Sequence, residues 1–123
     1  MEYAEFIKVY QSIIEKVYKK LKDNSFVVWV IGEVRGSDGN YYNFLGDTIK
    51  CFLNAGFNYY NEIVLENNIG TAALRAGRPF KTARKVAKVH QNVLVFCKGD
   101  GKKAAQRLGE VEVKDIDLED LNN

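Results

Sequence analysis

Six consecutive residues, Phe26-Val27-Val28-Trp29-Val30-Ile31, carry no charged or hydroxyl side chain, and no other feature narrows the possible folds as much. The run is β-branched and aromatic and does not alternate with polar residues. That pattern predicts a strand covered on both faces, as in the interior of a parallel sheet. Ahead of it, Tyr3, Phe6, Ile7, Tyr10, Ile13, Ile14, Val17 and Leu21 recur at three- and four-residue intervals, which predicts one amphipathic helix over 2–21. Its tyrosines share the apolar side with aliphatic residues and read as core or interface.

Behind the strand, 32–40 is a polar, glycine-rich turn. Open parallel sheets bind ligands at this end of their strands. Glu33 and Arg35 stand there and are expected to pair with each other. Gly32, Gly36 and Gly39 lack the Gly-Lys-Ser/Thr of a phosphate-cradling loop and are expected to shape the turn. A second helix is predicted over 43–55, with Gly56 ending it in the left-handed conformation. Strands are predicted over 57–66 and 91–97, a short helix over 102–108 and an edge strand over 109–113.

At 123 residues, with 46% hydrophobic residues and one proline, the chain reads as one domain over 1–114 followed by a loose acidic tail over 115–123. Charges interrupt every apolar stretch of the N-terminus, which excludes a signal peptide or membrane span there and places the protein in the cytosol. Cys51 and Cys97 have no Cys or His partners at metal-ligand spacing and read as buried free thiols; no metal site is expected.

The charge is segregated. Between Asn67 and Gly99 stand Arg75, Arg78, Lys81, Arg84, Lys85, Lys88 and Lys98 with no acid, so this window carries +7 and the rest of a +2 chain carries −5. Most of these residues occupy a connection of more than twenty residues between two predicted strands, longer than compact domains ordinarily use. Its apolar residues Ile69, Leu74, Phe80, Val86 and Val89 are expected to dock partly on the domain. One reading is an anion-binding face in which Arg75, Arg78, Lys81, Arg84, Lys85 and Lys88, with Phe80 and His90 beside them, hold the phosphates of DNA. The plainer one is a solvated loop. His90 has no orienting carboxylate or nucleophile next to it in sequence and reads as a strand-entry residue.

One series of motifs resembles a known family. Phe44-Leu45-Gly46-Asp47-Thr48-Ile49 in a helix, Ala55-Gly56-Phe57 entering a strand, Gly70-Thr71-Ala72, and His90-Gln91-Asn92-Val93-Leu94-Val95-Phe96-Cys97-Lys98-Gly99 follow the buried strand and the glycine turn in that order. The series is similar to the C-terminal half of the catalytic domain of phage and bacterial DNA methyltransferases acting on adenine N6 or cytosine N4. The resemblance covers about Phe26 to Gly99. It implies an α/β fold with part of a Rossmann-like sheet, a central parallel strand and a closing antiparallel pair, with S-adenosylmethionine as the family cofactor.

Two departures limit what the resemblance implies. The family's Asp/Asn/Ser-Pro-Pro-aromatic tetrapeptide is absent, since the only proline is Pro79 in Arg78-Pro79-Phe80, and no glycine-rich cofactor loop is present. No catalytic residue carries over. The chain is therefore expected to be inactive alone, to bind no cofactor alone, and to act with a second polypeptide that completes the fold or as a homo-oligomer. The alternative is a non-catalytic module, of the phage-inhibitor kind, that holds nucleic acid or occupies a host protein's nucleic-acid site.

Overall fold

A computed structural model describes residues 2–66 and 72–110. Helix α1 (Tyr3–Lys20) precedes strand β1 (Ser25–Ile31), helix α2 (Phe44–Ala55), strand β2 (Asn58–Glu66), helix α3 (Ala72–Ala83), strand β3 (His90–Lys98) and helix α4 (Gly101–Leu108). The acidic tail, and residues 111–113 of the expected edge strand, lie outside the described residues; Gly109 and Glu110 carry no strand.

The three strands form one sheet in the order β1-β3-β2, and both pairings are antiparallel. This corrects the expectation of a central parallel strand at 26–31: among the described residues β1 lies at an edge, and the middle strand is β3. Both runs are rich in apolar residues, and composition alone cannot rank two such strands by depth. In β1, Val27, Trp29 and Ile31 turn toward the helices, whereas Val28 and Val30 on the other face remain 57% and 51% exposed. Phe26, on that same face, is covered by the Tyr60 ring at 5.0 Å. In β3, by contrast, Asn92, Leu94, Phe96 and Cys97 are buried. On the far side β2 carries a register shift between Tyr59 and Asn61.

Aromatic packing between the sheet and α1 and α2 holds the core together. Phe52 lies flat on Phe96 at 4.0 Å, with Trp29 against its edge at 5.2 Å and Phe57 at 5.2 Å. Tyr10 and Ile14 close the core from α1. Three polar groups brought into this layer bond to one another: the Trp29 indole donates to the Tyr10 hydroxyl oxygen at 2.6 Å, and the fully buried Thr48 hydroxyl donates to the same oxygen at 3.3 Å. Cys51 and Cys97 are buried free thiols whose pKa values burial pushes up.

Lys98 is mostly covered. Its ammonium donates to the last carbonyls of α1, Tyr18 O at 2.6 Å and Leu21 O at 2.9 Å, and lies over the Tyr18 ring. A cation at the negative end of a helix is favourable there. One of the seven charges of the basic window is thus structural. Gly56, with φ 113° and the Tyr18 ring 3.0 Å from where a Cβ would stand, ends α2 as expected.

Burial raises the Tyr10 pKa above the ordinary 10.0, and burial followed by its hydrogen bond to Asp47 raises that of Tyr3. The folded chain therefore keeps protons that the unfolded chain releases above pH 10, so stability is full below that pH and falls as pH rises further. Urea midpoints measured between pH 8 and 11 are expected to drop above pH 10, and Tyr10→Phe should flatten the drop.

The basic connection is not a loop throughout. Residues 72–83 form α3 although Pro79 lies inside it, and Gly77 to Ala83 are all exposed. Phe80 is half exposed and Val86 is 81% exposed, so these two do not dock as expected; Val89 is partly buried. Ile69 and the Leu74 side chain fall outside the described residues. None of the described helices is long and apolar enough to cross a membrane.

Candidate nucleic-acid interface

The chain leaving β1 makes a built hairpin. Arg35 and Tyr41 form an isolated antiparallel bridge, Gly36 N–H donates to Asn40 O at 2.9 Å, and Tyr42 N–H donates to Val34 O at 3.0 Å. At its tip Asp38 accepts from the Asn40 backbone at 3.0 Å, which holds its carboxyl below the usual value, and Gly39 takes φ 85°. A Cβ at Gly36 would stand 2.9 Å from the Tyr42 ring, so glycine is what lets the two arms close. Tyr42 stacks on Tyr3 of α1 at 4.3 Å and fixes the hairpin to the domain.

Alternation places Tyr41 on the opposite side of the hairpin from Tyr42. There it lines a cleft of about 520 Å³ together with Arg35, Lys85, Lys88 and His90. The Arg35 guanidinium lies over the Tyr41 ring at 4.1 Å and donates to Gly39 O at 2.8 Å. Lys88 reaches Asn92 Oδ1 at 3.4 Å, and Asn92 in turn donates to Glu62 at 2.7 Å, which orients the amide toward the lysine. Glu33 is the one carboxylate lining the cleft, and it does not pair with Arg35. It accepts the Leu45 N–H at 2.7 Å, in the first turn of α2, where Asn43 makes no side-chain cap. A carboxylate favours that position electrostatically. Its charge is thereby engaged at the helix terminus, leaving the cations to set the character of the cleft. Glu33→Ala is expected to destabilise the fold by about 1 kcal/mol, within the range for losing a helix cap, as read from the urea midpoint.

Of the residues singled out in the sequence, Lys85, Lys88 and His90 meet in this cleft. Arg78 and Lys81 stand exposed on α3, which borders the cleft through Pro79, but do not themselves line it. Arg84 adopts φ 56° just past α3 and turns its guanidinium back to the Phe80 and Lys81 carbonyls, a helix-ending role. The Arg75 side chain lies outside the described residues. Arg35 and Tyr41 are not among the residues that the charge pattern singles out. The signal for them is the glycine-rich turn at the carboxyl end of a strand, which local sequence suggests as a Glu33–Arg35 pair.

Neither a protein-family model nor a curated protein matches this chain. Solved structures do: two crystal structures of a candidate DNA modification methylase from Thermus thermophilus superimpose with TM-scores of 0.63 and 0.62 at 17% and 16% identity. One is a selenomethionine derivative and the other a complex with S-adenosyl-L-methionine. The fold is methyltransferase-like. Each superposition takes in 80% of this chain but 39% of the methylase chain, so the protein spans well under half the length of the structures it matches.

The glycines at the tip of the hairpin do not form a glycine-rich cofactor loop. Pro79 stands within the exposed α3, Gly36 is closed off by Tyr42, and Gly39 is occupied by a turn with the Lys85 ammonium beside it. Gly32 is the cleft-lining glycine that faces open space, with nothing within 4 Å of a Cβ built on it, and one open glycine does not make the glycine-rich turn that such a cofactor loop uses.

Proposed function

We propose that the chain is the nucleic-acid-holding portion of a methyltransferase-like assembly, which grips DNA phosphates in the Arg35, Lys85, Lys88 and His90 cleft and depends on another polypeptide for methyl transfer. The observation that carries this reading is the convergence of those four nitrogen-bearing side chains at the loop end of β1, on a fold shared with a candidate DNA modification methylase. Phosphates neutralised by such cations release counterions, so binding driven this way is steeply salt-dependent. Tyr41 offers a ring beside the cations for an unpaired base, as single-strand sites do. Arg78 and Lys81 on α3 extend the positive surface beyond the cleft.

The missing tetrapeptide and glycine loop support a second reading, a non-catalytic module that uses the same cleft to hold nucleic acid without any methyl transfer. Purified chain is expected to bind a fluorescent duplex of about 20 base pairs and to transfer no labelled methyl from S-adenosylmethionine to it. No binding at low salt would end both readings, and methyl transfer above background would end the expectation of inactivity. Adding candidate partner polypeptides to the methyl-transfer assay separates the assembly from the stand-alone module.

A further inference from the structure

Among the described residues the outer edge of β1 carries no partner strand, and it belongs to a larger apolar surface. Contacts show how α1 lies beside that strand: its C-terminal carbonyls meet Lys98, which is opposite Ser25, and its N-terminal Tyr3 meets Tyr42 in the hairpin after Ile31. Helix and strand therefore run side by side in opposite directions, with Tyr10 level with Trp29. Residues of an α-helix are turned by about 100° each, so α1 has three distinguishable faces. Tyr3, Gln11 and Tyr18 meet α2 or its end, and Tyr10 and Ile14 enter the core above β1. Val9 and Ile13 come next on the side away from α2, and both are half exposed, while Phe6 beside them is also half exposed but packs on Phe44 at the start of α2. This third stripe overhangs the outer edge of β1, while Val28 and Val30 stand exposed on the other side of that edge. No charge, proline or bulge interrupts the seven residues of the strand, and α4, whose Arg107 donates to Ser25 Oγ at 3.0 Å, reaches its start at Ser25 and Phe26; charges, prolines and bulges are among the devices that ordinarily keep an edge from pairing.

We infer that this surface pairs with a second copy of the chain about a two-fold axis at Val28. Such an interface must be self-complementary, and this one is. Antiparallel pairing centred on Val28 sets Phe26 against Val30 of the other copy and Val27 against Trp29, with no like charges opposed. The same axis passes close to the middle of the helical stripe and brings the two α1 helices together antiparallel. Glu2 and Glu5 bound that stripe at one end and Lys16 and Lys20 at the other, so the acids of each copy meet the lysines of its mate. Parallel pairing, or docking on an unrelated surface, would leave that charge order without a counterpart. The inference is independent of the DNA reading.

Light scattering coupled to size exclusion at about 10 to 100 μM tests it. Wild-type protein should elute as a dimer. Val28→Lys, at an exposed position and directly opposite its own copy, should raise the dimer dissociation constant on the order of a hundredfold, with an unchanged circular dichroism spectrum. The charges test the orientation: Glu2→Lys/Glu5→Lys and Lys16→Glu/Lys20→Glu should each weaken the dimer on the order of tenfold, and mixing the two variants should restore it. A wild-type monomer would show that the edge is kept for a different chain and would overturn the inference. So would a dimer indifferent to Val28→Lys, or one that the mixed charge variants fail to restore.

Discussion

Replacing Arg35, Lys85 and Lys88 together by alanine is expected to lower the affinity for duplex DNA on the order of a hundredfold near 0.1 M salt, and to flatten the salt dependence by up to about three units of the log–log slope. The three side chains line one cleft, so they act on one stretch of phosphates. None is buried in the core, so the fold should survive, as circular dichroism would check. Arg78→Ala/Lys81→Ala serves as the contrast. Those residues sit on the exposed face of α3 outside the cleft, and their loss should weaken binding only severalfold. Fluorescence anisotropy from about 50 to 300 mM KCl measures both. If the α3 pair cost more than the cleft triple, the binding face would be the helix.

The second large effect concerns the core. Phe52 is fully buried and touches Phe96, Trp29 and Phe57 at once. Phe52→Ala removes a stacked ring from the aromatic layer joining α2 to the sheet, a change that costs about 3–5 kcal/mol when neighbours cannot collapse. Small domains have total stabilities of about 5–15 kcal/mol, so the variant should be close to unfolded at 37 °C. Urea denaturation of wild type and variant, followed by tryptophan fluorescence, reads it directly, because Trp29 packs on the deleted ring. Leu53→Ala, one residue on but half exposed, should shift the midpoint little.

Much of the chain is legible in advance because its periodicities are clean. The stripe on α1, the Gly56 stop after α2 and the strands at 58–66 and 90–98 all follow local rules that tertiary packing did not override. Depth in the sheet is another matter. Phe26 to Ile31 and Val93 to Cys97 are both apolar runs, and only the pairing partners, absent from local sequence, decide that the second is the middle strand. Helix α3 is hidden because Gly77 and Pro79 read as breakers, and Pro79 stands inside the helix even though an interior proline lacks the N–H that would bond the carbonyl four residues back.

The cleft is half legible. Lys85, Lys88 and His90 declare themselves through the missing acids, whereas Arg35 and Tyr41 lie some fifty residues upstream and join them only because the hairpin folds over. Glu33 misleads for a similar reason. An acid two residues from an arginine suggests a local pair, but α2 begins with an unmet N–H at Leu45, and the carboxylate goes to that helix instead. Lys98 shows the same competition at the other end of the molecule, where the orphan carbonyls of α1 claim a charge that composition assigns to the basic face.

The irregularity in β2 limits how far any such sheet could grow. Its extra residue at Tyr60 breaks the hydrogen-bonding rhythm of the outer rim, and Glu62 and Glu66 add charge along it. With one rim smooth and the other spoiled, lateral addition can happen once per molecule and then has nowhere to continue. Deleting Tyr60 would straighten the kink but also take away the ring over Phe26, and it would leave Glu62 and Glu66 as the charge that still guards this rim.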